Sequence, residues 1–310
     1  MMKCYANSLV YTDIRPNHSK RLRTSSGAFA FLITHSLRKK VCYLTSLFVM
    51  PRIYCIMLVL PKSFQFLGIS FFSAYDPQGN LTAGLGYTPA EQSRSLANLL
   101  LAAIDYPEDL DFHLQKAIIH TDTGIDLIPA NRRLADAAAR LQLMRLSQYN
   151  AVGGTERSSE KVMADLLEHL RANYDYIIID CGLKHELLTV NALVASDYCI
   201  IPVQAHFLAS EGIPEVLELV KSVREKFNPR LQIAGILLTM YQSRPQLCRS
   251  VRESVGEIYG EAFHVFERPI EYSIKVAECP AAGQSIFDYA PKNAAAESYL
   301  SLAEEVLRLA

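Results

Sequence analysis

Residues Tyr174–Cys181 read YDYIIIDC: four apolar or aromatic residues, Tyr176–Ile179, run into one aspartate. That is the pattern of a strand buried on both faces of a parallel sheet, delivering a carboxylate to the sheet's C-terminal edge. In open α/β sheets ligands sit at that edge, and a carboxylate there supports Mg²⁺ beside a phosphate. The simpler reading is a core strand whose Asp180 caps the following turn.

The flanking text supplies the rest of such a sheet. FFSAYDPQGNLT, from Phe71, is an apolar strand followed by a turn in which Pro77 fixes φ and Gly79 permits a tight bend. Further strands are expected at Ile125–Ile128, Tyr198–Val203, Leu231–Thr239 and, briefly, Ala262–Phe266. Between them lie helical spacings. These are Ser93–Ile104, a helix capped by Asn131 and reaching Leu146, one capped by Ser158 or Ser159 with Val162, Leu166, Leu167 and Leu170 on one side, Leu187–Leu193, Glu211–Phe227, Gln246–Tyr259 and Ala294–Leu309. Strands alternating with helices define an α/β fold with a mostly parallel sheet flanked by helices in Rossmann-type layers.

Charge divides the chain near residue 70. Residues 1–70 hold ten Lys and Arg against the single acid Asp13, whereas residues 71–310 hold 21 basic and 31 acidic residues. The first piece keeps no regular period. Within it residues 41–60 are apolar over about a membrane's width, behind Arg38, Lys39 and Lys40, which makes a signal-anchor helix conceivable. Pro51 and Arg52 at its centre oppose that, since a central charge costs roughly 3 kcal/mol on insertion scales. The seven cysteines contain no CxxC pair and suit reduced thiols of a cytoplasmic protein.

YDYIIIDC, the following LLTVNALVASDYCIIPVQAHFLASEGI, FFSAYDPQGNLT upstream and IKVAECPAAGQSIFDYAPKNAAAESYLSLAEEVL at the end together resemble the ParA/Soj branch of the ParA/MinD partition ATPases over residues 70–310. The resemblance implies a P-loop NTPase-like fold and a cytoplasmic, nucleoid-associated protein that moves plasmids or chromosome origins. It also implies Mg·ATP as cofactor, a nucleotide-dependent dimer, DNA bound without sequence preference, and a ParB-type partner. Asp180 falls on the family's Walker B aspartate, an indirect Mg²⁺ ligand. Asp76, Pro77 and Gln78 fall on the Asp-Pro-Gln turn that senses the γ-phosphate, Asn191 on a family asparagine of the helix after Walker B, and Thr239 on the approach to the adenine pocket, followed by Met240 and Tyr241. For DNA, Arg244, Arg249 and Arg252 gather at the start of one helix, and Lys275 sits where relatives carry arginine.

The chain departs from the family at the phosphate loop. No GxxxxGK[ST] occurs, and the corresponding place upstream of Asp76 reads Leu47–Tyr54, LFVMPRIY. Such residues cannot replace the loop's backbone donors and lysine. Ala74 replaces the aspartate used in hydrolysis, and Gly182 and Leu183 replace Pro-Pro after Asp180, with Lys184 an exposed loop lysine. No catalytic residue is assigned. Residues 1–70 are thus expected to be an atypical segment, of the kind a frameshift, a wrong start or a gene remnant would produce, ahead of a ParA-like domain at 71–310. The sheet is then expected to be incomplete at its N-terminus, with an unfilled centre. Three functions follow: a partition protein defective in ATP binding and hydrolysis, a nucleotide-independent adaptor for DNA or a partner, or a positioning protein tethered to a membrane through residues 41–60.

Overall fold

The computed structural model describes residues 54–59, 70–75, 78–121, 125–150, 157–174, 176–182, 186–206, 212–279, 282, 284 and 286–309. Seven strands form one sheet in the order β3-β4-β2-β5-β1-β6-β7. They are β1 (Tyr54–Val59), β2 (Ser70–Tyr75), β3 (Ile119–His120), β4 (Ile125–Ile128), β5 (Tyr176–Gly182), β6 (Tyr198–Gln204) and β7 (Gln232–Thr239). Strands β2, β4 and β5 pair in parallel, as do β6 and β7.

β5 shows why the apolar run was diagnostic. Ile177, Ile178 and Ile179 are all fully buried. Successive side chains of a strand point to opposite faces, so layers must cover both. The cover comes from α2 (Leu96–Asp105), α3 (Leu110–Ala117), α4 (Leu134–Asn150), α5 (Val162–Glu168), α6 (Glu186–Ala195), α7 (Ile213–Lys226), α8 (Gln246–Tyr259) and α11 (Ala294–Leu309). Short helices α1 (Asn80–Gly84), α9 (Ile274–Glu278) and α10 (Ile286–Tyr289) complete the set. Burying a Leu or Ile side chain contributes about 1.5–3 kcal/mol. The apolar stripes Leu96, Leu99, Leu100 of α2 and Val162, Leu166, Leu167 of α5 therefore anchor those helices to one shared core.

Local signals explain most boundaries. Ser95 is the N-cap of α2, its N–H donating to Asn98 Oδ1 at 3.1 Å. Asn131 precedes α4 and accepts the Arg133 N–H through Oδ1 at 3.1 Å, and the helix runs past Leu146 to Asn150. Ala262–Phe266 is not a ladder strand. Instead the segment covers the edge of β7 by separate bonds, Ile236 N–H to His264 O at 2.8 Å, Phe266 N–H to Ile236 O at 3.0 Å and Ile270 N–H to Leu238 O at 2.8 Å. Gly235 makes that approach feasible, because a Cβ there would lie 2.8 Å from Phe266 Cε2 and 3.0 Å from His264 O.

The centre of the sheet corrects the sequence reading. It is filled, by β1, which runs antiparallel to both neighbours, with Tyr54 opposite Gly182, Val59 opposite Ile177, and Met57 opposite Cys199 of β6. The change in charge near residue 70 is therefore no boundary within the sheet. The same strand places residues 54–59 in the sheet rather than in a membrane-spanning helix, and residues 41–53 lie outside the described residues. No helix among the described residues is long and apolar enough to cross a membrane.

Candidate nucleotide edge and basic face

β5 carries Asp180 to the carboxyl edge at 1% exposure. Its neighbours there are aliphatic: Ala74 of β2 is its partner on one side and Ile56 of β1 on the other. Of the Asp-Pro-Gln turn, Asp76 and Pro77 lie outside the described residues. Gln78 is exposed in the turn after β2, which adjoins β5. Asp180 and that turn are thus brought to one edge on adjacent strands. Lys184 lies outside the described residues, as do Leu47–Ile53, the remainder of LFVMPRIY.

At that edge the direction of β1 decides what can follow. A phosphate-cradling loop leads from the carboxyl end of a strand into the amino end of a helix, whose free N–H groups face the anion. β2, β4, β5, β6 and β7 all end at this edge, but β1 begins there, and its carboxyl end at Val59 lies beside Ile177 at the opposite edge. Among the described residues no three His, Cys, Asp or Glu side chains converge as a metal site.

Thr239 ends β7 at the same edge but beyond β1 and β6, three strand spacings or roughly 14 Å to the side of Asp180 and four residues further along, since Asp180 is level with Ile56, Ile200 and Gly235. Its Oγ1 donates to Val203 O at 3.3 Å and its carbonyl accepts the Ala205 N–H at 2.9 Å. Met240 then adopts φ 53°, a left-handed conformation uncommon for a side-chain-bearing residue, and Tyr241 turns back onto Ile270 and Tyr272.

Asn191 is engaged within the chain. It is fully buried in α6, and its amide is consumed by packing: Nδ2 donates to Ser159 O at 2.7 Å and Leu187 O at 3.1 Å, while Oδ1 accepts the Met163 N–H at 3.0 Å. It satisfies an otherwise orphaned donor in the first turn of α5 from a neighbouring helix.

The basic residues are less uniform than their spacing suggests. Arg244, Arg249 and Arg252 are exposed at or near the start of α8. Arg249 Nη1 donates to Ser243 O at 3.3 Å, and Arg252 Nη2 donates to Glu267 O at 3.1 Å, with its guanidinium 5.7 Å from the Tyr241 ring. Both line a cleft of about 570 Å³, together with Glu253 and Glu257, which offset their charge. Lys275 is paired within its own helix. Its Nζ donates to Glu278 Oε2 at 2.9 Å, and that pairing raises its pKa while lowering that of Glu278, which Tyr289 also supports with a 2.9 Å bond. Its charge is engaged within the chain.

Two features were missed from sequence. Asp126, 6% exposed, accepts from the Tyr174 hydroxyl at 2.8 Å and lies 2.7 Å from Nδ1 of His120. Burial first, then Asp126, pushes the Tyr174 hydroxyl well above its usual pKa. The second feature is a cleft beside Arg132 and Arg133, whose adjacency at the start of a helix was the available signal.

An open α/β sheet with one aspartate at its carboxyl edge is a layout that P-loop NTPase-like folds share with other doubly wound folds, and the comparisons decide among them. A family model described as an AAA domain matches residues 71–233. The chain is 34% identical over 235 residues to the chromosome partitioning protein ParA of Caulobacter vibrioides, covering 75% of this chain and 80% of that one. It is 37% identical over 231 residues to the sporulation initiation inhibitor protein Soj of Bacillus subtilis, covering 74% and 83%. Among solved structures, cobyrinic acid a,c-diamide synthase from Mycobacterium smegmatis with bound ATP analog and magnesium superposes with a TM-score of 0.61 at 26% identity, covering 89% of this chain and 88% of that one. The Pyrococcus furiosus cell division ATPase MinD superposes at 0.58 and 16% identity, over 89% and 94%, a likeness of fold alone. This chain belongs to the ParA/MinD family of partition ATPases, in its ParA/Soj branch.

Proposed function

We propose that this chain is a ParA-type partitioning protein, acting on DNA with a ParB-type partner and a second copy of itself, that binds and hydrolyses Mg·ATP poorly or not at all. The relatives' names support partitioning as the setting. The observation that carries the defect is the reversed β1, which begins where a phosphate loop would have to leave the sheet. The residues at hand do not fit a magnesium nucleotide. Asp180 could support the metal, but Ala74 and Ile56 beside it offer no oxygen ligand, and no lysine or threonine of a P-loop is present in the sequence. Under this reading residues before 70 replace the family's first strand and loop, as a frameshift or altered start would bring about.

A second reading, a nucleotide-independent adaptor for DNA or a partner, is favoured by the position of Arg249 and Arg252. They stand on α8, which follows the edge strand β7, three strands from the β5 that carries Asp180, so their charge is presented away from the carboxylate that would support Mg²⁺. Binding of duplex DNA to the full chain, followed by fluorescence anisotropy with and without Mg·ATP, tests both. The expected result is a salt-sensitive affinity that Mg·ATP leaves unchanged. An affinity that rises on adding Mg·ATP contradicts the proposed defect, and no binding at low salt removes the adaptor reading.

A further inference from the structure

A cleft of about 670 Å³ opens beside the carboxyl ends of β4 and β2, lined by Gln78, Thr88, Pro89, Ala90, Gln92, Ser93, Asn131, Arg132 and Arg133. Its volume lies in the range of small-molecule sites. Arg132 and Arg133 are exposed, neither guanidinium is in an ion pair among the described residues, and no carboxylate is among the described lining residues. The cleft is therefore doubly positive, and two forked cations favour a ligand with planar or tetrahedral oxyanions.

The walls are fixed before any ligand arrives. Asn131, 7% exposed, donates from Nδ2 to Gln92 O at 2.9 Å and accepts from Arg133 N at 3.1 Å, tying the wall after β4 to the turn before α2. Thr82 Oγ1 accepts the Ala130 N–H at 2.9 Å. Leu96 N–H donates to Pro129 O at 2.8 Å. Gly79, at φ 67°, lets the turn after β2 press against the same wall, where a Cβ would lie 2.9 Å from Ala130 O. The amides at the start of α4 are spent internally, Leu134 on Asn131 O and Ala135 on Arg132 O, so recognition falls to side chains. Pro89 and Ala90 supply a small apolar wall, and the Thr88 and Ser93 hydroxyls can bond polar groups on a ligand.

We propose that this cleft binds a small phosphate ester, with Arg132 and Arg133 on the phosphate and the 88–93 wall against the organic part. DNA is another source of the same phosphate chemistry, but a concave pocket of this volume suits a compact ligand better than a duplex. Its two arginines follow β4, two strands from the β5 that carries Asp180, and Gln78 is the lining residue it shares with the Asp-Pro-Gln turn.

The test is calorimetric titration of the full chain with inorganic pyrophosphate, without divalent metal and at constant ionic strength. Saturable binding is expected, weakened by about tenfold or more in Arg132→Gln/Arg133→Gln, because charge-assisted bonds to an anion are lost. Both arginines are exposed, and an unchanged thermal midpoint of the double variant verifies its fold. Equal binding by parent and double variant, or a parent response no greater than matched chloride gives, overturns the proposal. Displacement of pyrophosphate by a short duplex oligonucleotide from the parent overturns the small-ester assignment in favour of nucleic-acid phosphate.

Discussion

Replacing Asn191 with alanine is expected to destabilise the fold by roughly 2–4 kcal/mol, because a buried donor and a buried acceptor lose their partners at once. The Met163 N–H loses its acceptor, and Ser159 O loses a 2.7 Å donor. Neither group is replaced by water in a site with no exposure. For a protein of this size each kcal/mol moves the midpoint by about 2–4 °C, so thermal unfolding should shift down by roughly 5–15 °C. DNA affinity measured well below the midpoint should be unchanged. A variant with the parent midpoint would return Asn191 to the ligand-binding role that the family resemblance implied.

The second large effect concerns the α8 face. Arg249→Gln/Arg252→Gln is expected to weaken duplex binding by about tenfold or more at low salt and to reduce the slope of log affinity against log salt by about two, one for each phosphate contact removed. Lys275→Gln should change it little, since Glu278 already holds that charge. Glu253→Gln/Glu257→Gln, which removes the offsetting carboxylates from the cleft, should strengthen binding. If the arginine pair leaves both affinity and slope unchanged, α8 is a solvated face and DNA is held elsewhere.

Much of the sheet was legible because burial on both faces leaves a continuous apolar run, as in Ile177–Ile179 and Cys199–Val203. The role of Asn131 was legible for a similar reason, since it acts on a group two residues away, whereas the N-cap of α5 is Lys161 rather than the expected Ser158 or Ser159, and α2 begins after Ser95 rather than at Ser93. What escaped was non-local. YCIMLV lies inside a longer apolar stretch that has no period to mark a strand, and nothing local encodes the direction in which a strand enters a sheet. The closing segment at 264–270 pairs with β7 by scattered bonds rather than a ladder, and a strand pattern overstates it. α3 was missed because LDFHLQKA is mostly polar and buries only Leu110, Leu114 and Ala117. At the site, Asp180 was placed from its strand alone. The engagement of Asn191 and of Lys275 depended on partners, although the three-residue spacing of Lys275 and Glu278 on one helix was a readable sign.

The reversed central strand is also the most consequential departure from the family. It preserves the packing of β5 and β6 by supplying a hydrogen-bonded neighbour to each, and so accounts for how a family fold persists without the family's first strand and loop. It places no strand end where the phosphates would be cradled. Backbone donors at a helix start are the main source of that cradle's affinity, and a lone carboxylate on Mg²⁺ does not substitute for them. Calorimetric titration of the full 310-residue chain with Mg·ATP tests this most directly: the expected result is no saturable binding in the micromolar range that Asp180→Asn abolishes, and micromolar Mg·ATP binding lost in Asp180→Asn would contradict it.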